Sequence, residues 1–424
     1  MNRDDDQTCP GLAGNSIFAR PISRSSDPTL LPSVLPAGVA EDTFASTSRG
    51  AGADAVRGLL EVQSAWPPSV SFRHLRRFDL YVTMSAFQKA IRLGEFQLAA
   101  RAAGQMALEG QSSALWRRLR TIAVEDVGLG DINVMAFVLW LAARDDFRES
   151  FGSLPLARLV IGLMCRAVKS RDMADIAYWA TLPGSIDHLM PSFGDARSSE
   201  LVTIASDERQ AFQTRHAAAR ALFPTRFGMV QPWKRRSPKD RTALYEALGT
   251  PYSLSWALER DIAFGGDVLT SAGPIAWALL QSSLTITAGA DPFEPVRTEL
   301  IDGVLASSFD RHTRLGKAVL SKMLREHQPW ADFFARHKEA SAMDCVMRGL
   351  FYTEGGLLRP RLSYDRSDEL YWTILQAKLA STGIASMDEG GWELLDLVRA
   401  ALPEINQRRR RAVTDRTPSE RTSL

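Results

Sequence analysis

Residues 85–131 read SAFQKAIRLGEFQLAARAAGQMALEGQSSALWRRLRTIAVEDVGLGD, and this stretch decides the fold class. Phe87, Ala90 and Ile91 open it, and Phe96, Ala99, Ala100, Ala103, Met106 and Ala107 follow. Leu115, Leu119, Ile122 and Ala123 then fall at i, i+4, i+7 and i+8, which lays them along one face of a helix with 3.6 residues per turn. Gly94 and Gly110 mark short joints of the kind that link antiparallel helices. At the far end Asp131 is placed to cap an apolar helix over 132–143, by accepting from its unpaired N–H groups.

Working outward, the helical period persists. Val56, Leu59, Leu60 and Val62 precede a break at Pro67-Pro68, and Leu75, Phe78 and Val82 lead into the quoted block. Downstream, helices are predicted at 155–181, 199–222, 239–264, 273–288, 293–308, 314–326, 330–350, 367–382 and 389–402. Alternating segments are scarce, so the chain is predicted to be all-α, a multi-helix bundle. Joints at Pro183-Gly184, 223–237 and 355–365 suggest an arm over 1–52, helical domains over 53–222 and 238–405, and a tail over 406–424. The arm, disordered or docked in extended form through its apolar 29–39 stretch, and the polar tail with Arg408-Arg409-Arg410-Arg411 are expected to lack regular structure. No internal repeat stands out.

Composition bounds the chemistry. Of 424 residues 45% are hydrophobic and 24% charged, an ordinary globular balance. Cys9, Cys165 and Cys345 lie far apart and match neither a disulfide framework nor a metal-ligand spacing, which suits a reducing compartment. The Asn2-Arg3-Asp4-Asp5-Asp6 start lacks the apolar core of a secretory signal, and the 132–143 run is too short to span a bilayer. A cytoplasmic location and no membrane partner are therefore expected. Net charge is only +2, but the cations are mostly arginine, the residue suited to bidentate phosphate or carboxylate contact.

Residues 85–131 also resemble the region that follows the ATPase core in the MgsA/RarA family of replication-associated recombination ATPases. The resemblance rests on Ser85, Phe87, Lys89, Ile91 and Arg92, then Glu109-Gly110, then Arg117, Arg118 and Leu119, and a closing Glu125-Asp126-Val127-Gly128-Leu129 with Asp131. Gly130 stands where that pattern usually has alanine. The resemblance implies a clamp-loader-type collar, with self-association or a replication ATPase as partner. ATP hydrolysis is not carried over. The nearest approach to a phosphate-cradling loop, Gly316-Lys317-Ala318, has Arg311 in place of the first glycine and no hydroxyl at 318, and the residues ahead of Ser85 are too few for an AAA+ core.

Candidate chemistry is sparse. Glu125, Asp126 and Asp131 are close enough for acid/base or metal work, but beside Arg117, Arg118 and Arg120 they are expected to cap helices and form ion pairs. The histidines show no zinc-ligand spacing, and no nucleophile elbow occurs. No catalytic residue, metal or cofactor is assigned. Two basic segments remain. Trp233, Lys234, Arg235, Arg236, Lys239 and Arg241 join an aromatic to five cations, and Arg311, His312, Arg314 and Lys317 surround a helix start capped by Asp310 or Thr313. Cations release counterions from a nucleic-acid backbone, and a tryptophan stacks on an exposed base. The expected function is a non-enzymatic accessory to DNA replication, recombination or repair, nucleoid-associated and sequence-independent in its DNA contacts. The alternative from another class is a helical protein-interaction scaffold that touches no nucleic acid. A third reading is an enzyme whose unfamiliar site joins Arg311, His312 and the acidic cluster.

Overall fold

A computed structural model describes residues 20–21, 33–35, 49–64, 78–182, 184–223, 236–266, 268–283, 285–289, 299–365 and 367–415. The described chain is predominantly helical, with short strands only. No helix in it is long and apolar enough to cross a membrane.

The quoted block folds as Leu80–Arg92, Phe96–Leu108 and Ser112–Ile122, joined at Gly94 and Gly110, whose positive φ values close the two joints. Ile132–Ala142 follows and is apolar on every face, so it is buried along almost its whole length at the centre of the molecule. Asp131 caps it as expected, accepting from Val134 N at 3.1 Å. The same carboxylate also accepts from Ser33 Oγ at 2.8 Å and Val34 N at 3.0 Å, so Ser33–Val34 of the arm are fastened there and Leu35 is buried beside them. One hydrophobic cluster includes residues from Leu35 to Val413.

Several elements differ from expectation. The helix predicted over 273–288 ends at Gln281, and Ile286–Gly289 forms a strand antiparallel to Arg361–Tyr364, with Thr287 opposite Ser363. Thr285, Ile286 and Thr287 are β-branched and suit a strand better than a helix end. Of the helix predicted over 293–308 only 299–308 is described, and there Leu300–Ile301 and Val304–Leu305 form a hairpin around Asp302-Gly303, both at positive φ. The described part of the tail also differs, because Trp392–Thr414 is one helix through all four arginines. Leu402, Ile405 and Val413 keep its apolar face buried; Arg408 pairs with Glu326 and Glu404, Arg409 with Glu354 and Arg410 with Glu299.

The site depends on two units of the same shape. The helices Ser112–Ile122 and Ala342–Leu350 each run directly into a wide π turn, Ala123–Val127 and Phe351–Gly355. Ser113-Ala114, Arg120, Asp126, Gly128 and Leu129 hold the places that Ser341-Ala342, Arg348, Glu354, Gly356 and Leu357 hold in the second unit. This short internal correspondence keeps one register through helix and turn.

Candidate functional site

Between the two wide turns lies a cavity of about 610 Å³. A π turn inserts one residue into the helical register and is frequent at functional sites. In Ala123–Val127 it turns Asp126 into the interior and leaves Glu125 on the cavity wall. Asp126 is 0% exposed and accepts from Arg92 Nε at 2.8 Å, Arg171 Nη1 at 2.7 Å and Gln88 Nε2 at 2.8 Å. Burial works to raise its pKa, but the two guanidiniums win and hold it below the ordinary aspartate range. Glu125 lacks such a pair and accepts from Gln88 Nε2 at 3.1 Å, so burial and the neighbouring Asp126 raise its pKa. The expected partners of these acids were Arg117, Arg118 and Arg120. The ion pairs of Asp126 instead come from Arg92, two helices earlier, and from Arg171.

Arg171 is delivered by an extended segment that breaks the helix predicted over 155–181. Ser170 N donates to Asp126 O and Val127 O, Lys169 N to Pro360 O, and Leu362 N to Lys169 O. Lys169 itself is fully buried, its ammonium donating to Cys165 O, Ala167 O and Arg359 O at 2.9–3.0 Å, and burial lowers its pKa to about 8. The segment passes so close to the wide turn that a Cβ on Gly130 would come within 2.4 Å of Val168 O. Glycine stands at the place where the chain has no room for a methyl group.

The 309–317 segment closes another side. Asp310 accepts from Ser85 Oγ at 2.7 Å and from Lys89 Nζ at 2.6 Å, and Lys89 also donates to Ser85 Oγ and to Ser307 O. Burial lowers the Lys89 pKa against the pull of Asp310; Asp310 is held at about 2, where Lys89 outweighs the upward effect of burial. Thr313 caps the helix Arg314–Glu326 by accepting from Gly316 N, as expected. Arg311 and His312 are exposed at the cavity rim, whereas Arg314 and Lys317 lie on the outer face of the helix.

The far wall comes from the second unit and from Asp172–Trp179 and Ser367–Ala380. Arg92 Nη1 donates across to Gly355 O at 2.7 Å and ties the two turns together. Arg171 lies over the Phe351 ring at 4.7 Å, Lys378 pairs with Asp175 at 2.6 Å, and Arg348 donates to Tyr178 OH at 2.8 Å. The carboxylates of the lining are Glu125, Asp175, Asp310 and Glu354, and the last three are each engaged by one lysine or arginine. Among the described residues Arg118, Arg311 and Arg348 form no ion pair: Arg118 donates to Gln88 Oε1, Arg311 to His312 Nε2, and Arg348 to hydroxyls. The lining therefore has an excess of guanidinium charge.

The sequence-predicted residues divide accordingly. Lys89, Arg92, Arg118, Glu125, Arg311 and His312 meet at this cavity; Asp126 lies beneath it, and Phe87 is core. Arg117 is exposed elsewhere. Trp233, Lys234 and Arg235 lie outside the described residues. Arg236 donates to Ala196 O and Ser198 Oγ, and Lys239 is exposed. Arg241 is not a surface cation: it is 5% exposed and forms two 2.7 Å bonds to Glu259. Arg171, Arg348, Lys378, Tyr178 and Phe351 escaped the sequence reading, although the charged run Lys169-Ser170-Arg171-Asp172 inside an apolar stretch was a visible signal. Among the described residues no cluster of three or more His, Cys, Asp or Glu side chains is arranged to hold a metal ion. Comparison with protein-family models, curated proteins and solved structures finds no match.

Proposed function

We propose that this protein is a non-enzymatic accessory of DNA transactions that holds DNA by its phosphates, at the cavity rim and the adjoining 309–317 segment. The observation that carries the reading is the group of guanidiniums on Arg118, Arg311 and Arg348, which face one opening without a carboxylate partner among the described residues. A guanidinium fork matches phosphate oxygens, and contacts of this kind position a backbone without reading its sequence. Arg314 and Lys317, exposed just beyond the rim, extend the cationic surface. The resemblance over 85–131 supplies the setting: collar-like helices that dock on a replication ATPase or on further copies of this chain.

The test is an electrophoretic and salt-titration comparison of single-stranded, duplex and forked DNA. Wild type should bind, and Arg311→Ala/Arg314→Ala/Lys317→Ala should lower the slope of log affinity against log salt by about 2, close to 0.7–0.9 per lost phosphate contact. No shift with any DNA would sink this reading. It would favour the interaction scaffold, which has support of its own in the exposed Tyr81, Leu108 and Tyr252.

A further inference from the structure

The cavity is of a size to select by fit as well as by charge. We infer that it is a pocket for one phosphate-bearing ring compound of mononucleotide size, supplied either as a free nucleoside monophosphate or as the phosphorylated terminal nucleotide of a strand. This goes beyond the DNA reading, because a free nucleotide fills such a pocket in a protein that touches no DNA.

Size is the first argument. About 610 Å³ lies within the roughly 300–1,000 Å³ of small-ligand sites, and a duplex has no room there. Charge is the second. The lining withholds a carboxylate from Arg118, Arg311 and Arg348, and a phosphate dianion supplies the missing partner. The third is that the lining is two-sided. Leu269, Leu320, Met347, Leu350 and Phe351 give it an apolar flank, and the Arg171 guanidinium over Phe351 makes a cation-on-ring surface of the kind on which a base stacks. A lone inorganic anion uses none of that flank. Finally, among the described residues Glu125 is the one lining carboxyl without an ion pair, and it stands on the wall as a hydrogen-bonding group for the polar edge of a ring. Burial favours its neutral, proton-donating form.

The experiment is a calorimetric titration of the full chain with a deoxynucleoside monophosphate, the matching nucleoside and inorganic phosphate. The monophosphate should bind, with nucleoside and phosphate each at least tenfold weaker. Arg118→Ala/Arg348→Ala should weaken the monophosphate at least tenfold with the circular dichroism spectrum unchanged, and Arg118→Lys/Arg348→Lys should recover part of the loss. If the alanine pair does not fold, the lysine pair against wild type gives the comparison, with a smaller expected loss. Oligonucleotides with 5′-phosphate or 5′-hydroxyl ends distinguish the sources: preference for the phosphorylated end assigns the pocket to a strand terminus, and monophosphate binding without that preference assigns it to a free nucleotide. Absence of both overturns the inference, as does phosphate binding as tightly as the nucleotide or affinity that survives loss of both arginines. Monophosphate binding without any DNA shift would leave the pocket standing and remove the DNA reading. A DNA shift from a protein that ignores monophosphate and strand ends would do the reverse.

Discussion

In the first of the two units that wall the cavity, the residues opening the wide turn, Ala123 and Val124, are small and buried in the core. In the second their counterparts are Phe351 and Tyr352, and both line the cavity. Arg120 lies over Phe264 at 4.2 Å and does not line the cavity, whereas its counterpart Arg348 does and is held on Tyr178. What the units keep in common is the acid inside the turn, Asp126 or Glu354, each bound by arginine. The backbone shape and its buried acid are thus the frame. The residues on which the proposed phosphate site rests are among those that differ: Arg118 and Glu125 on one side, Arg348 and Phe351 on the other.

The frame gives the largest expected effect. Asp126→Ala strands two guanidiniums, Arg92 and Arg171, in the interior, and should destabilise the protein by about 3–5 kcal/mol in chemical denaturation. Glu354→Ala strands only Arg409, which is 0% exposed, and should fall at the lower end of that range. Equal and negligible losses from both would break the claim that the acids hold the turns.

Next come the two arginines in corresponding places. Arg348→Ala should weaken anion binding roughly tenfold, the worth of one charge-assisted hydrogen bond, and Arg120→Ala should leave it unchanged. Similar effects from the two would mean that the cavity does not separate them.

The smallest effect is a pH dependence that distinguishes the adjacent acids. Asp126 is held below its ordinary value, so its contribution is present above that value and fades as pH falls. Glu125 is held above its ordinary value, so its contribution is present in acid and is lost as pH rises through the folded value. Glu125→Gln removes that loss. The variant should therefore gain on wild type from acid toward neutral pH, by on the order of 1 kcal/mol in denaturation curves taken across the range. Parallel curves would show that the fold does not hold the Glu125 carboxyl above its ordinary range.

Much of the frame was legible in the sequence. The period in 85–131 predicted its helices, Asp131 and Thr313 cap where caps were expected, and the 314–326 boundaries agree with Arg314–Glu326. The Asp302-Gly303 hairpin was written as plainly, flanked by Leu300-Ile301 and Val304-Leu305, yet an apolar count over a wider window reads it as helix. The arginine run at 408–411 reads as a solvated tail because its partners Glu326, Glu354 and Glu299 are far away in sequence. The cavity suffered from the same limit. Lys89, Arg92, Glu125 and Arg311 each stood out as residues of interest, but nothing local says that Arg171 and Arg348 converge on them, because that convergence is made by the wide turns and by the buried Lys169.

The salt dependence of DNA binding for wild type against Arg118→Ala/Arg348→Ala tests the central claim most directly. If those guanidiniums hold phosphates, the double variant should bind single-stranded DNA with a slope shallower by about 1.4, two contacts at about 0.7 each. Superimposable titrations would contradict contact between DNA phosphates and the arginines that face each other across the two turns.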